Sequence, residues 1–277
     1  MQKKYQKVCF RFLLSEILGI GKATALKLQA QGNIVYGAAR RIEKMTDLAA
    51  AGVHVLKVDV TDEATLIAAV KTIQVEQGRI DVLINNAGYG SYGSLEDVPV
   101  AEGEYQFKVN VFGVMRLTQL VLPYMRAQRE GRIINTSSMG GRLVSYMGAW
   151  YHATKYAVEA FSDALRMETK DFGIKVAIIE PGGIKTNWGF IAADHLEASA
   201  RHSAYQTQAT KAAAGMRRQY SSRMMSDPKI ISKAISKAVN QKRPRVRYLI
   251  GFGAKPLVLA KAILPTRVFD FIMMHAS

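Results

Sequence analysis

Arg132-Ile133-Ile134-Asn135-Thr136-Ser137 opens the stretch that decides how this chain folds. The run is apolar at successive positions rather than alternate ones, the pattern of a strand covered on both faces. A helical pattern follows over residues 149–171, and a second continuously apolar run, 174–180, closes on Pro181-Gly182-Gly183. Strand, helix, strand in that order predicts two parallel strands joined by a crossover helix. The same alternation extends to both sides. Further strands are predicted at 33–38, 53–58, 80–85 and 247–250, with a first strand before Leu14. Helices are predicted at 21–31, 61–77, around 105–128 and at 228–240. The expected fold class is α/β, a doubly wound parallel sheet with helices on both faces and ligands at the carboxyl ends of the strands.

Composition agrees with a packed chain. Of 277 residues, 49% are hydrophobic and 22% charged, which excludes disorder as the main state. No linker rich in Pro, Gly or Ser divides residues 1–277, so one domain is expected. Residues 184–227 break the rhythm: they are polar and Ala-rich, dotted with Trp188, Tyr205, Met216 and Tyr220. They read either as a lid inserted at the active end of the sheet or as an ordinary surface helix pair. The lone Cys9 has no internal disulfide partner, as in a reducing compartment. Lys3, Lys4 and Lys7 before residues 8–21 faintly imitate a signal peptide, but Arg11 and Glu16 interrupt its apolar core. A cytoplasmic location is expected.

With 38 Lys+Arg against 22 Asp+Glu, the formal charge is +16. Such a field attracts phosphorylated ligands or anionic surfaces. The cations are scattered and lack the aromatic interleaving of a nucleic-acid binder, so nucleic acid is not expected as a partner. The tail, residues 254–277, is apolar between basic residues. It is expected either to dock on its own core or a neighbouring subunit, or to rest weakly on an anionic membrane.

Tyr151 and Lys155 stand four apart in Tyr-His-Ala-Thr-Lys and project from one helix face. An ammonium there favours phenolate and lowers a tyrosine pKa from its usual ~10. By itself the pair is common on solvated helix faces. Ser138 ends the strand thirteen residues upstream, Asn85-Asn86-Ala87-Gly88 ends another, and Asn110 falls in the long helix. Singly each is turn chemistry; the joint order and spacing are specific.

At these residues the chain resembles the short-chain dehydrogenase/reductase family, with motif support from about Gly19 to Glu180. The resemblance implies a Rossmann-like domain with a seven-stranded parallel sheet, an NADP(H)-type cofactor and a homo-oligomer. It makes Tyr151 the general acid or base and has Ser138 orient the substrate carbonyl. Lys155 binds the nicotinamide ribose and depresses the Tyr151 pKa, while Asn110 supports a water-mediated proton relay. Asn86, Ala87 and Gly88 line the adenosine side, Asp59 beside Val60 contacts adenine, and Pro181, Gly182, Ile184 and Thr186 hold the carboxamide end. Arg40 and Arg41, with no acid until Glu43, favour the 2′-phosphate of NADP. No metal is expected. The segment 86–96 is similar to members acting on steroids, retinoids and other lipophilic alcohols, which implies a small lipophilic carbonyl or alcohol substrate.

One stretch departs from the family pattern. Gly19-Ile20-Gly21 matches the end of the phosphate loop, but Leu14 and Ser15 stand where threonine and glycine are expected, and Glu16, Ile17 and Leu18 fill the small stretch between. Either the loop is remodelled or residues 9–18 carry a frame slip in the source sequence. Two readings follow: an active NADP-dependent alcohol dehydrogenase or carbonyl reductase, or a catalytically silent binding or scaffold protein with a damaged phosphate loop.

Overall fold

The computed structural model describes the backbone of residues 8–12 and all of residues 19–275. Seven strands form one sheet: β1 (Val8–Phe12), β2 (Ile34–Ala39), β3 (His54–Lys57), β4 (Val82–Asn85), β5 (Gly131–Thr136), β6 (Ile174–Pro181) and β7 (Arg247–Ile250). Their order is β3-β2-β1-β4-β5-β6-β7, and every pairing is parallel. The strand expected before Leu14 is β1, which pairs with β2 from Val8↔Ile34 and with β4 from Cys9↔Val82. Connections leave β1 and β4 in opposite directions, which opens a crevice at their carboxyl ends.

The continuously apolar strands have a direct cause. Successive side chains point to opposite faces, and here each face carries its own helical layer. Tyr36, Leu83, Ile133 and Val176 pack with α3 (Glu63–Gln77), α5 (Gly113–Ala127) and α6 (Ala149–Glu168). Their neighbours Val35, Val82, Ile84, Ile134 and Ala177 pack on the other side with α1 (Ile20–Gln29) and α9 (Lys229–Asn240). A one-residue slip in any strand would exchange the two sets.

Boundaries moved where polar residues hid a helix. The helix expected around 105–128 begins at α4 (Val100–Phe107), widens into a π-helical turn at Lys108–Phe112 and runs on through α5. Gly103 disguised its start, yet a Cβ there would meet the Trp150 ring at 2.5 Å, so the glycine lets α4 lie against α6. A short α2 (Thr46–Ala50) follows β2.

Residues 184–227 contain a helix pair, α7 (Trp188–Ser199) and α8 (Gln206–Ser221), and the pair also covers the crevice. Ala192, Ala193, Leu196, Ala209 and Ala213 are buried in one cluster with Tyr92, Met147 and Tyr151. The tail forms α10 (Ala254–Ile263) and α11 (Thr266–His275). Within it Ala254 and Phe269 are buried, and Leu257 and Met273 line the crevice.

Candidate active site

Ser138 lies two residues beyond the end of β5, in extended backbone, and its hydroxyl accepts a hydrogen bond from the Gly140 N–H at 3.0 Å. The same hydroxyl lies 3.4 Å from the Pro181 carbonyl at the end of β6. Tyr151 and Lys155 come from the first turns of α6, and both are buried. The Lys155 Nζ donates to the Thr136 carbonyl at 3.0 Å and sits 5.9 Å from the centre of the Tyr151 ring.

Burial acts on the two groups in opposite directions, each time against the charged form. It pushes the Tyr151 phenol up to about 12, while the hydrogen bond with Ser138 pulls it back down. It pushes the Lys155 ammonium down to about 8, opposed by the charge of Glu159. At Tyr151 desolvation dominates, and the hydrogen bond with Ser138 is what favours phenolate.

Asn110 lies in the π-helical turn with its side chain fully engaged. Its Oδ1 accepts from the Tyr89 N–H at 3.0 Å, and its Nδ2 donates to the Tyr89 carbonyl at 2.9 Å and to the Thr154 hydroxyl at 3.0 Å. The amide thus clamps the backbone after β4 to α6 rather than facing the crevice. Gly88 sits in this clamp at φ +156°, where a Cβ would lie 3.1 Å from Asn110 Oδ1 and 3.4 Å from Lys155 Nζ.

These elements enclose a cavity of about 310 Å³. Gly19, Ile20, Gly21, Asn86, Ala87 and Gly88 line one rim. Ser138, Tyr151, Lys155, Pro181, Gly182, Ile184 and Thr186 line the other. Arg40, Arg41, Asp59, Val60 and Asn110 are not part of its wall. Arg40 is exposed just beyond β2, and its Nη1 donates to the Tyr105 hydroxyl at 3.3 Å. The Asp59 carboxylate caps the next turn, accepting from the Thr61 N–H at 2.9 Å and the Thr61 hydroxyl at 2.7 Å. Val60 is core. Leu14, Ser15, Glu16, Ile17 and Leu18 of the departing loop lie outside the described residues, as does the side chain of Cys9.

Sequence reasoning assigned no role to His152. Its Nε2 accepts from the Ser145 N–H at 2.9 Å, which leaves the proton on Nδ1, 2.8 Å from the Gly140 carbonyl. Burial holds its pKa below 6.5, in the neutral form that this pairing needs. His152 therefore pins the loop after Ser138 to the helix that carries Tyr151. Tyr92 is a second residue the sequence left unassigned. It is buried, and its ring lies 5.7 Å from that of Tyr151 and 5.8 Å from that of Trp188.

Two hydroxyls converging on one cavity suit a substrate oxygen that gains charge. Among the described residues no cluster of His, Cys, Asp and Glu is placed to hold a metal ion. A family model of short chain dehydrogenases matches residues 16–193, and the chain belongs to that family. A probable short-chain type dehydrogenase/reductase of Helicobacter pylori is 34% identical over 252 residues, 91% of this chain and 92% of that one. A 3-ketodihydrosphingosine reductase of Bacteroides thetaiotaomicron is 46% identical over 171 residues, 61% of this chain and 62% of that one. The crystal structure of NAD+-bound xylitol dehydrogenase shares the fold at a TM-score of 0.75 and 28% identity, covering 91% of this chain and all of that one. The chain is thus of an oxidoreductase family that works with a nicotinamide cofactor.

Proposed function

We propose that this protein is an NADP(H)-dependent oxidoreductase that interconverts a secondary alcohol and a ketone, or an alcohol and an aldehyde, on a small lipophilic substrate. The observation that carries the reading is the meeting of Ser138, Tyr151 and Lys155 on one glycine-lined cavity. The residues fit a nicotinamide dinucleotide. Small residues at 19, 21, 86–88 and 182 let a ligand approach backbone, the amino end of the ten-residue α1 favours phosphate, and the Lys155 ammonium is fixed beside them. Gly19, Ile20 and Gly21 would take the pyrophosphate, and Pro181, Gly182, Ile184 and Thr186 the nicotinamide end. Arg40 and Arg41 would take the 2′-phosphate, and Asp59 and Val60 would border the adenine.

The cofactor, when bound, supplies or accepts the hydride. The chain's own residues handle the proton. At neutral pH a phenol pushed up to about 12 is protonated and ready to donate to a substrate oxygen. Ser138 holds that oxygen against Tyr151 and stabilises its developing charge. Lys155, fixed by Thr136, carries the positive charge beside Tyr151, and Asn110 positions the loop that a water-mediated proton relay would follow.

The apolar wall of Tyr92, Leu143, Trp188, Met216 and Tyr220 supports a lipophilic substrate. The 46% identical relative named for reducing 3-ketodihydrosphingosine points the same way. Residues 184–227 would act as the lid of a one-domain enzyme. Exposed Phe112, Phe161 and Met167 offer a face for a second copy, and a cytoplasmic location completes the reading. The test follows quenching of Trp188 fluorescence by NADPH and by NADH, then loss of NADPH absorbance with a panel of carbonyl substrates. Preferred NADPH binding with turnover is expected. Binding without turnover on any carbonyl would identify the silent scaffold protein instead.

A further inference from the structure

We propose that α10 and α11 dock on an anionic lipid bilayer and open the cavity to substrate dissolved in it; this rests on reading the site as one for a lipophilic substrate. The two helices have two sides. Inward, Leu257 and Met273 form part of the cavity wall, so the tail is one side of the site's entrance. Outward, Leu259 and Ile263 stand four apart on α10, 60% and 69% exposed. Val268, Phe271 and Met274 stand three apart on α11, with Phe271 60% exposed. Single exposed apolar side chains need no explanation, but large ones repeating along each of two successive helices do. With ten residues each, the helices are far too short to span a bilayer, so they lie on its surface.

Charge selects the occupant. Lys255, Lys261 and Arg267 accompany the apolar face, against Asp270 as the acid on the same helices. Lys255 also lines a neighbouring groove with exposed Lys233 and Lys237, one turn apart on α9, and with Arg245. A second copy of a +16 chain would bring the same cations against this face. An anionic leaflet complements them, attracting each cation while the apolar side chains enter the headgroup boundary. A lipophilic alcohol or ketone partitions into that boundary, so an entrance walled by Leu257 and Met273 receives it without a passage through water.

The test is co-sedimentation of the full chain with vesicles of equal parts phosphatidylglycerol and phosphatidylcholine, and with phosphatidylcholine alone. Binding to the anionic vesicles that weakens with salt is expected. Burying each Leu, Ile or Phe is worth about a factor of 10 in partitioning. The combined variant Leu259→Glu, Ile263→Glu, Phe271→Glu should therefore lose at least ~100-fold in vesicle binding. Phe271→Ser alone gives a milder check, and a matching melting curve shows that either variant is folded. Turnover of a short water-soluble ketone should be unchanged in both, while turnover of a vesicle-embedded ketone falls. Loss of the water-soluble activity in the parent would count against the proposed function and leave vesicle binding to be read separately. No sedimentation of the parent, or equal sedimentation of the variants, overturns the bilayer proposal. So does a light-scattering mass that shows a parent oligomer split by these variants without vesicle binding.

Discussion

The two rims of the cavity are built by different means. The rim at β5 and α6 is made of side chains that hold one another. His152 bridges Gly140 and Ser145, Asn110 ties Tyr89 to Thr154, and Lys155 reaches Thr136. The rim at α1 and the segment after β4 relies on bare backbone. Helix α1 begins at Gly19 without a side-chain cap, and no acid stands in its first turn. A rim of side chains keeps its function in a few residues whose identity can be read. A rim of backbone keeps it in the smallness of the residues that line it, Gly19, Gly21, Ala87 and Gly88 among them. The first should fail sharply when one residue changes, the second by degrees.

The largest effect is expected on the side-chain rim. Tyr151→Phe keeps the ring and removes the proton donor, so turnover should fall by about 10²-fold or more while cofactor affinity stays near that of the parent. Single-turnover rates and NADPH titration measure the two separately. Near-parent turnover would remove Tyr151 from the acid's role.

Next comes Arg40, exposed just beyond β2 and outside the cavity wall. Arg40→Ala should reduce the preference for NADPH over NADH by roughly 10- to 100-fold, the range for a lost charge-assisted hydrogen bond. Equal affinities of the parent for both cofactors would place the 2′-phosphate elsewhere.

A graded response is expected from the phosphate loop itself. Replacing residues 14–18 by Thr-Gly-Ala-Ser-Ser should tighten NADPH binding about 10-fold, since one restored N–H contact to a charged oxygen is worth ~1.5–3 kcal/mol. The melting point with NADPH present should rise accordingly. If neither moves, the Ser15 loop is a working cradle of another kind.

The smallest effect lies behind the side-chain rim. Burial, reinforced by the charge of Glu159, pushes the Glu180 carboxyl from 4.5 to about 7, although Arg142 and Arg247 oppose it. Between those values the folded chain keeps a proton that the unfolded chain has released. Stability therefore falls as pH rises from 4.5 to 7. Glu180→Gln cannot titrate and should remove that slope, a difference of about a few degrees in melting temperature. A parent whose melting point rises over this range would reverse the sign.

The fold was legible because its strands are short, apolar throughout and separated by helical periods, a local pattern. That Ser138, Tyr151 and Lys155 meet on one cavity was legible for the same reason: they belong to one strand-to-helix connection and the helix that follows it. What escaped depends on distance along the chain. His152 sits inside the Tyr-x-x-x-Lys motif, yet its partners Gly140 and Ser145 become neighbours only when the loop folds back. Arg247 meets Glu159 and Asp163 across 88 and 84 residues. Tyr92, and the tail residues Leu257 and Met273, reach the cavity only through tertiary packing. The widened turn at Lys108–Phe112 carries no composition signal at all.

His152 has a consequence for how such a protein diversifies. By fastening the loop after Ser138 to α6, it makes the hydroxyls of Ser138 and Tyr151 parts of one piece, anchored to β5. The roof over that piece, α7 and α8, rests on alanines and on the edges of aromatic rings, and α10 and α11 close the side. Tyr151 packs in the same cluster as the roof, its ring 5.0 Å from that of Trp188, so substitutions in the roof reshape the cavity and bear on Tyr151 together. Inheritance can therefore vary the roof only as far as the seat of the Tyr151 ring allows: the loop that His152 fastens stays fixed, and the roof and Tyr151 change in step.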